Sequence, residues 1–486
     1  MSKILYLCSE AFPLIKTGGL ADVAGGLTRA LQNNGQDVRL LLPAYREILD
    51  KLHRPRQVAE TFHYGQHIRI LETCLPGTRV KTWLLDCPSA FDRAGNPYLD
   101  AAGDPWPDNA FRFALFAQAA VDIALDRCTL AWQPDVVHCN DWQSALVPAL
   151  LATFAQRPAT VFTIHNLAYQ GRFSKNTFFD LGLPVELWGK HGVEFYDEFC
   201  FIKGGLVYAD RINTVSPTYA AEILQARLGY GFDGLLRHRR ERLSGILNGI
   251  DTDIWNPASD KHLVQNYNQH SLDLKTKNKT ALQQQLKLPV SSRTPLVGMI
   301  SRLVEQKGMH SLLGAMPKLL SLPLQIVLIG SGEKQYENAL LDWSRSYPGK
   351  LSVSIGYDEQ LSHRLEAAAD IYLMPSTFEP CGLNQLYSLA YGALPLARKV
   401  GGLADTVIDC DEKTITDKTA NGFIIAADTA SALVKTMQRA LRSYKDPVRW
   451  QQLQLNAMRP DRSWQTSAQH YIKLYQLAMT DNSEER

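Results

Sequence analysis

The chain predicts an α/β protein built from two doubly wound domains, and three observations predict it. Short apolar runs alternate with amphipathic segments of ten or more residues, which is the pattern of parallel-sheet units. That series occurs twice, with a polar interval between. At 486 residues the chain also exceeds what one hydrophobic core usually organises.

The first run, KILYLCSE, is short and reaches Glu10 at once, so it reads as a buried first strand and not as a secretory signal. Helical GLADVAGGLTRALQNNG follows. DVRLLLPAY and VKTWLLDC are the next strands, NAFRFALFAQAAVDIALD is a helix, and DVVHCND, ATVFTIHN, RINTVS and SGILNGID are further strands. Together they predict a first domain over residues 1–244. After Asp251 the sequence turns polar through DLKTKNKTALQQQ. PLVGMIS, LQIVLIGSG, LSVSIGY, IYLMPS and PLARKV then form a second strand series, predicting a domain over 245–463. The last helical stretch, at about 464–480, is expected to pack back on the first domain, and the tail TDNSEER is expected to fray.

Composition narrows the function classes. With 45% hydrophobic and 21% charged residues the chain reads as globular, and a net charge of +2 gives no reason to expect a nucleic-acid partner. The one dense basic run, HRRER at 238–242, reads as a solvated helix end. ALVPALLATFA at 145–155 is too short to span a bilayer and contains Pro148, so no membrane partner is expected. Eight scattered cysteines without a C-x-x-C pair suit a reducing cytoplasm. His63 and His67 lie in a strand-and-turn segment without H-E-x-x-H, so no metal site is expected there.

In open α/β sheets the ligand lies beyond the carboxyl ends of the strands, where the strand order reverses. Several predicted strands end in polar groups: His138, Asn140 and Asp141; His165 and Asn166; Ser216; Asn248 and Asp251. Ser216, before Pro217, reads as a helix N-cap. The convergence of the others predicts a polar cleft. In the second domain, SRLVEQKG at 301–308 presents Arg302 and Lys307 at a helix N-terminus, where N–H groups already favour anions, and the two read as a diphosphate clamp. FEPCGLNQLYSLAYG places Glu379 before a helix expected near Gly382, as its cap or as the partner of a sugar hydroxyl.

KTGGLADV at 16–23 and KVGGLADTV at 399–407 spell nearly the same loop, so Lys16, Gly18, Gly19 and Asp22 have counterparts in Lys399, Gly401, Gly402 and Asp405. Glycine pairs let a backbone approach a diphosphate closely, which predicts one such turn in each domain. Lys399 reads as a solvated cation. GSGEKQ at 330–335 has Gln335 where a dinucleotide fingerprint needs its third glycine, and no G-x-x-x-x-G-K-[ST] occurs. Neither a dehydrogenase nor a P-loop NTPase is supported. A two-domain diphosphate binder remains.

KTGGL from residue 16, NDW at 140–142, TIHNLAYQG at 163–171, LNGID at 247–251, SRLVEQKG, IGYDEQLSHR at 355–364, STFEPCGLNQLY and GGLADTV together resemble the bacterial glycogen synthases and their plant starch synthase relatives. The match runs in order over essentially the whole chain. It implies a GT-B fold, with two facing Rossmann-like domains and the active site in the cleft between them. It implies cytoplasmic, retaining transfer of glucose from ADP-glucose to the nonreducing end of an α-1,4-glucan, which elongates glycogen, without metal or cofactor.

By the same resemblance, Arg302 and Lys307 match the diphosphate-binding pair, and Lys16, in the loop with Gly18 and Gly19, lies near the donor phosphates. Tyr357 matches the aromatic stacked on adenine. His165 and Asn166 lie beside the transferred glucose and Asp141 at a sugar-site position. Glu379 matches the carboxylate that holds the sugar, assisted by N–H groups near Cys381, Gly382 and Leu383. Tyr98, Asn248 and Thr406 are further substrate-site positions. Lys16, Asp141, His165, Arg302, Lys307 and Glu379 are expected to carry catalysis. Two departures stand out: Tyr387 lies eight positions after Glu379, where many retaining relatives have a second Glu, and Gln143 replaces a histidine found in some members.

Breaking the glucose–phosphate bond leaves a diphosphate anion and gives the anomeric carbon oxocarbenium character. Preorganised donors on the leaving side therefore lower the barrier, by about 2.7–4 kcal/mol each in other enzymes. No residue identifies the covalent nucleophile of two-carboxylate glycosidases. The resemblance favours a front-face route in which the departing phosphate helps deprotonate the acceptor hydroxyl. A nonenzymatic glucan-binding scaffold could use the nine Trp as sugar platforms, but it has no use for a phosphate clamp. A plant starch synthase would usually carry a transit peptide and an N-terminal extension; this chain starts on its first strand, so the bacterial branch is expected.

Overall fold

The structure, a computed structural model, describes residues 1–52 and 55–484. Its contacts divide the chain into two units: Met1–Gly249 with the last helix, Trp464–Glu484, and Ile250–Ser463.

The strands of the first unit are β1 (Lys3–Leu7), β2 (Asp37–Pro43), β3 (Arg56–His63), β4 (Gln66–Cys74), β5 (Lys81–Asp86), β6 (Val136–Asn140), β7 (Ala159–Ile164), β8 (Arg172–Ser174), β9 (Glu194–Phe195), β10 (Glu198–Cys200), β11 (Arg211–Thr214) and β12 (Leu243–Gly245). Among the described residues, nine of them form one sheet in the order β12-β11-β7-β6-β1-β2-β5-β4-β3, and the other three a small antiparallel one. The nine-stranded sheet is parallel from β12 to β5, and β4 and β3 complete it antiparallel. β6 and β7 are buried throughout, as strands at the centre of a parallel sheet are, and their polar members His138, Asn140, Thr160 and Thr163 are buried with the rest. Helix Gly19–Asn33 turns Val23, Ala24, Leu27 and Leu31 inward. Chain order reverses between β1 and β6, so the loops after these strands share the switch point.

The last helix belongs to this unit. Tyr475 Oη lies 2.9 Å from His138 Nδ1, and Asn213 Nδ2 donates to Tyr471 Oη at 3.1 Å. A Cβ at Gly26 would lie 2.0 Å from Trp464 Nε1, so a glycine permits this helix crossing. Two expectations are corrected here. Residues 480–484 stay helical: Asp481 pairs with Arg211 and with Arg242 (2.5 Å), and Asn482 Nδ2 donates to the Arg157 carbonyl at 3.2 Å. Residues 485 and 486 lie outside the described residues. The basic run at 238–242 is likewise no simple solvated end, since Arg239 donates to the carbonyls of Val207 and Ala209, which helix Phe201–Tyr208 leaves open at its C-terminus.

The second unit holds β13 (Leu296–Ile300), β14 (Gln325–Gly330), β15 (Leu351–Ile355), β16 (Ile371–Met374), β17 (Leu394–Arg398) and β18 (Phe423–Ile425), parallel throughout in the order β15-β14-β13-β16-β17-β18. Its switch point lies between β13 and β16. The polar interval before it is a packed helix, Lys275–Gln285, with Lys275, Asn278, Lys279 and Gln283 buried. Lys279 Nζ lies 2.7 Å from Asp370 Oδ2. Lys275 Nζ donates to the Ala367 carbonyl at 2.8 Å, and burial pulls its pKa down to about 7. Buried polar groups are tolerated here because each has a partner. No helix among the described residues is long and apolar enough to cross a membrane.

Candidate active site

At the switch point of the first unit, a buried carboxylate organises the loop after β1. Glu10 is 2% exposed. Its Oε2 accepts from Thr17 N at 2.5 Å, Thr17 Oγ1 at 2.9 Å and Gly18 N at 3.3 Å, while Oε1 accepts from Tyr98 Oη at 3.2 Å. Burial raises its pKa and these donors oppose the rise. Glu10 enters the sequence patterns only as the residue that ends an apolar run; a carboxylate directly after a buried strand is the signal that marks it. Within the loop, Lys16 Nζ lies 2.8 Å from Asp22 Oδ1 and 5.6 Å from the Phe12 ring centroid.

Asp141, after β6, is buried and holds φ +53 and ψ −177, a backbone region that favours glycine and costs on the order of 1–3 kcal/mol. Its Oδ1 accepts from His165 N at 2.8 Å and Asn166 N at 3.4 Å, so one strand end pins the next. Burial pushes this carboxyl up to about 7, against those two N–H groups. Burial also pulls the His165 imidazole down to about 3, so the ring is neutral. Asn140 Nδ2 donates to the Leu7 carbonyl at 2.9 Å, which makes its Oδ1 the acceptor for Tyr6 Oη at 3.1 Å and His165 Nε2 at 2.9 Å. His165 therefore carries its proton on Nε2 and keeps Nδ1 as an acceptor.

The remaining strand-end residues divide. His138 is a correction to the predicted polar convergence, because its nitrogens meet Tyr475 Oη and Thr163 Oγ1 (2.7 Å) inside the fold. Ser216 is the helix cap that Pro217 predicts, accepting from Tyr219 N at 3.1 Å. Asn166 Oδ1 accepts from Ala168 N at 3.0 Å. Asn248 is buried, and its Oδ1 has no hydrogen-bond partner among the described residues.

In the second unit Arg302 is exposed after β13, and Lys307 stands just before helix Met309–Ser321. The intervening Gly308 has φ +75, and a Cβ there would lie 2.2 Å from the Pro375 carbonyl oxygen. That approach brings Lys307 against the segment after β16: its Nζ lies 2.5 Å from Glu379 Oε2, which also accepts from Ser376 Oγ at 3.1 Å. Glu379 is thus buried in an ion pair and is not the cap of the next helix, which begins at Asn384, with Leu383 as its N-cap residue. Gln385 Nε2 orders the intervening loop, donating to the carbonyls of Cys381 and Gly382 at 2.9 Å each. Tyr387 stacks on Trp255 at a centroid distance of 3.9 Å, so it is a packing residue. Tyr357 is 62% exposed beyond β15, just before Asp358, which caps helix Glu359–Ala368 by accepting from Leu361 N at 2.9 Å.

The two glycine loops do different things. A Cβ at Gly401 would lie 1.9 Å from the Glu379 carbonyl oxygen, and one at Gly402 would lie 2.1 Å from that of Cys381. Gly402 N donates to the Glu379 and Pro380 carbonyls at 3.2 and 3.1 Å. The second pair therefore lets helix Gly401–Thr406 pack on the protein's own Glu379 segment, which corrects the expectation that its backbone is shaped for a diphosphate. Thr406 Oγ1 completes this packing, donating to the Gly402 carbonyl at 2.6 Å. Lys399 is exposed. Around Gly18, by contrast, the space a Cβ would take is open.

Residues 3–238 match the family model of the starch synthase catalytic domain, and residues 282–454 match that of glycosyl transferases group 1. The chain is 52% identical to a glycogen synthase of Cellvibrio japonicus over 98% of its own length and 99% of the relative's. It is 50% identical to glycogen synthase 1 of Methylococcus capsulatus over 98% and 97% of the two chains. Among solved structures it resembles the catalytic domain of starch synthase IV from Arabidopsis thaliana bound to ADP and acarbose, with a TM-score of 0.89, 34% identity and 99% of each chain covered. The fold alone is shared with a sucrose-phosphate synthase from Thermosynechococcus elongatus, at a TM-score of 0.61 and 16% identity over 99% and 100% of the chains. The chain belongs to the glycogen synthase and starch synthase family, enzymes that transfer glycosyl groups on a GT-B fold.

Proposed function

We propose that this chain transfers glucose from ADP-glucose to the nonreducing end of an α-1,4-glucan with retention, elongating glycogen in the cytoplasm. The observation that carries the reading is the Lys307–Glu379 pair, which puts a cation and a carboxylate side by side at the switch point of the second sheet. The ADP-bound starch synthase relative and the glycogen synthase names of the others support the choice of donor and acceptor.

In this reading the second unit, Ile250–Ser463, is the donor side. Arg302 and Lys307 neutralise the diphosphate as the anomeric bond breaks, and Tyr357 stacks on adenine. Glu379 accepts from the glucose hydroxyls, with the Cys381–Leu383 backbone and the Thr406 loop shaping its surroundings. The first unit is the acceptor side. Lys16, with Gly18 and Gly19, adds charge at the phosphates, and Tyr98 and Asn248 contribute substrate contacts. Neutral His165 accepts a hydrogen bond from a sugar hydroxyl through Nδ1, while Asp141 holds the His165–Asn166 backbone in place. The departing phosphate, made a better leaving group by the clamp, takes the proton of the attacking glucan hydroxyl on the same face.

Glycogen offered with ADP-glucose and with UDP-glucose tests the proposal. ADP-glucose is expected to be preferred by kcat/KM, with the new linkage in the α configuration. Preference for UDP-glucose, or a β linkage, would overturn it.

A further inference from the structure

We infer that His262, Glu359 and His363 of the second unit form a binding site for a divalent transition metal of the zinc class, separate from the groups proposed for glucosyl transfer. Glu359 and His363 lie four residues apart in helix Glu359–Ala368 and so share a face. His262 comes from the loop that precedes helix Lys275–Gln285. Each of the three residues offers a ligand atom within 4.8 Å of the other two.

His363 is the anchor of the site. It is 1% exposed, and Trp255 stacks flat on its ring, with centroids 3.9 Å apart and planes 6° from parallel. Its Nδ1 lies 2.7 Å from Asp260 Oδ2, which also accepts from Tyr391 Oη at 2.6 Å. Its Nε2 is buried and has no hydrogen-bond partner among the described residues. Buried polar atoms rarely go unpaired. A ring held by a carboxylate at one nitrogen, with the other nitrogen open, has the arrangement of a metal-ligating histidine. The structural alternative, a core histidine satisfied by its neighbours, accounts for Nδ1 and leaves Nε2 unexplained.

The donor set indicates the class of ion. Two imidazoles and one carboxylate suit zinc and its neighbours, and they offer too few oxygens for calcium or magnesium. Ligand atoms around a tetrahedral ion at zinc distances sit roughly 3.3 Å apart, so a closure of at most about 1.5 Å completes the site. Glu359 is exposed and His262 half-buried, so both can make that movement, and solvent supplies the entry path and the fourth ligand. A bound ion would join the Asp260–His262 loop to the helix that begins two residues after Tyr357.

The test is calorimetric titration of the full-length, untagged and chelator-stripped chain with zinc chloride, with thermal melting alongside. One equivalent should bind with a Kd below about 10 µM, and it should raise the melting temperature. Each of His262→Ala and Glu359→Gln, made at accessible positions, should weaken binding at least about tenfold and abolish the rise, with the metal-free melting temperature kept. Magnesium chloride should give neither effect. Absence of stoichiometric zinc binding, or equal binding by wild type and both variants, would overturn the site; the second result would place zinc elsewhere, for example at His63 or exposed Cys74. Glucosyl transfer by metal-free His262→Ala should stay within about twofold of wild type, and a larger loss would overturn the separation from the transfer chemistry.

Discussion

Lys307 Nζ and Glu379 Oε2, 72 residues apart in sequence, lie 2.5 Å apart across the switch point of the second sheet. Each holds the other's charge in a partly water-excluded place, so a change at either is felt by its partner. Glu379→Gln should lower kcat at least about a hundredfold, or roughly 2.7 kcal/mol, with the fold intact by circular dichroism. In a double-mutant cycle with Lys307→Ala the losses should not add. Near-normal turnover in a folded Glu379→Gln variant would remove Glu379 from the sugar site.

Asp141 makes stability depend on pH. Its folded pKa, about 7, lies above an unfolded value of about 3.9, so the native state holds the proton more tightly. The stabilisation is complete below about pH 4 and is lost as pH rises through about 7. Asp141→Asn keeps an Oδ1 acceptor for His165 N without the charge. Relative to wild type it should gain stability between pH 5 and pH 8, by about 2–3 kcal/mol. Denaturant melts at the two pH values check this, and a difference that stays constant would show an ordinary carboxylate.

Tyr357 stands 62% exposed at a strand end, where its ring has little role in the core. Tyr357→Ala should leave the melting temperature almost unchanged and weaken ADP binding at least about fivefold through lost stacking. Calorimetry with ADP decides it, and unchanged affinity would detach the residue from the base.

Lys16 and Lys399 hold equivalent places in the doubled loop. Lys16→Ala should lower kcat/KM at least about tenfold, or roughly 1.4 kcal/mol, and Lys399→Ala severalfold at most. Equal losses in steady-state kinetics, or a larger loss at Lys399, would reverse the assignment.

The glycines of the same loops should separate by stability instead. Gly402→Ala puts a methyl group 2.1 Å from a backbone oxygen that cannot move aside cheaply, and it should cost several kcal/mol in denaturant unfolding. Gly18→Ala meets open space and should cost about 1 kcal/mol or less. Comparable losses at both sites would contradict the packing described for the second loop.

What the sequence determines by itself is local and periodic. Runs such as ATVFTI and QIVLIG specify buried parallel strands, because a strand covered on both faces needs a mostly apolar run without strict alternation. Their alternation with amphipathic helices specifies the doubly wound class. The ordered motifs specify the family, because a long series of matches at the right spacings leaves few alternatives. What only the tertiary structure decides is which polar groups meet. Glu10 and Tyr98 are 88 residues apart, and His138 and Tyr475 are 337 apart. Such pairs follow from strand order and helix docking, which no local pattern records. For the same reason nearly identical Gly-Gly loops differ in their work: the chain specifies the absent side chain, and only the neighbours brought by folding decide whether that space is left open, as at Gly18, or filled by the protein's own backbone, as at Gly402.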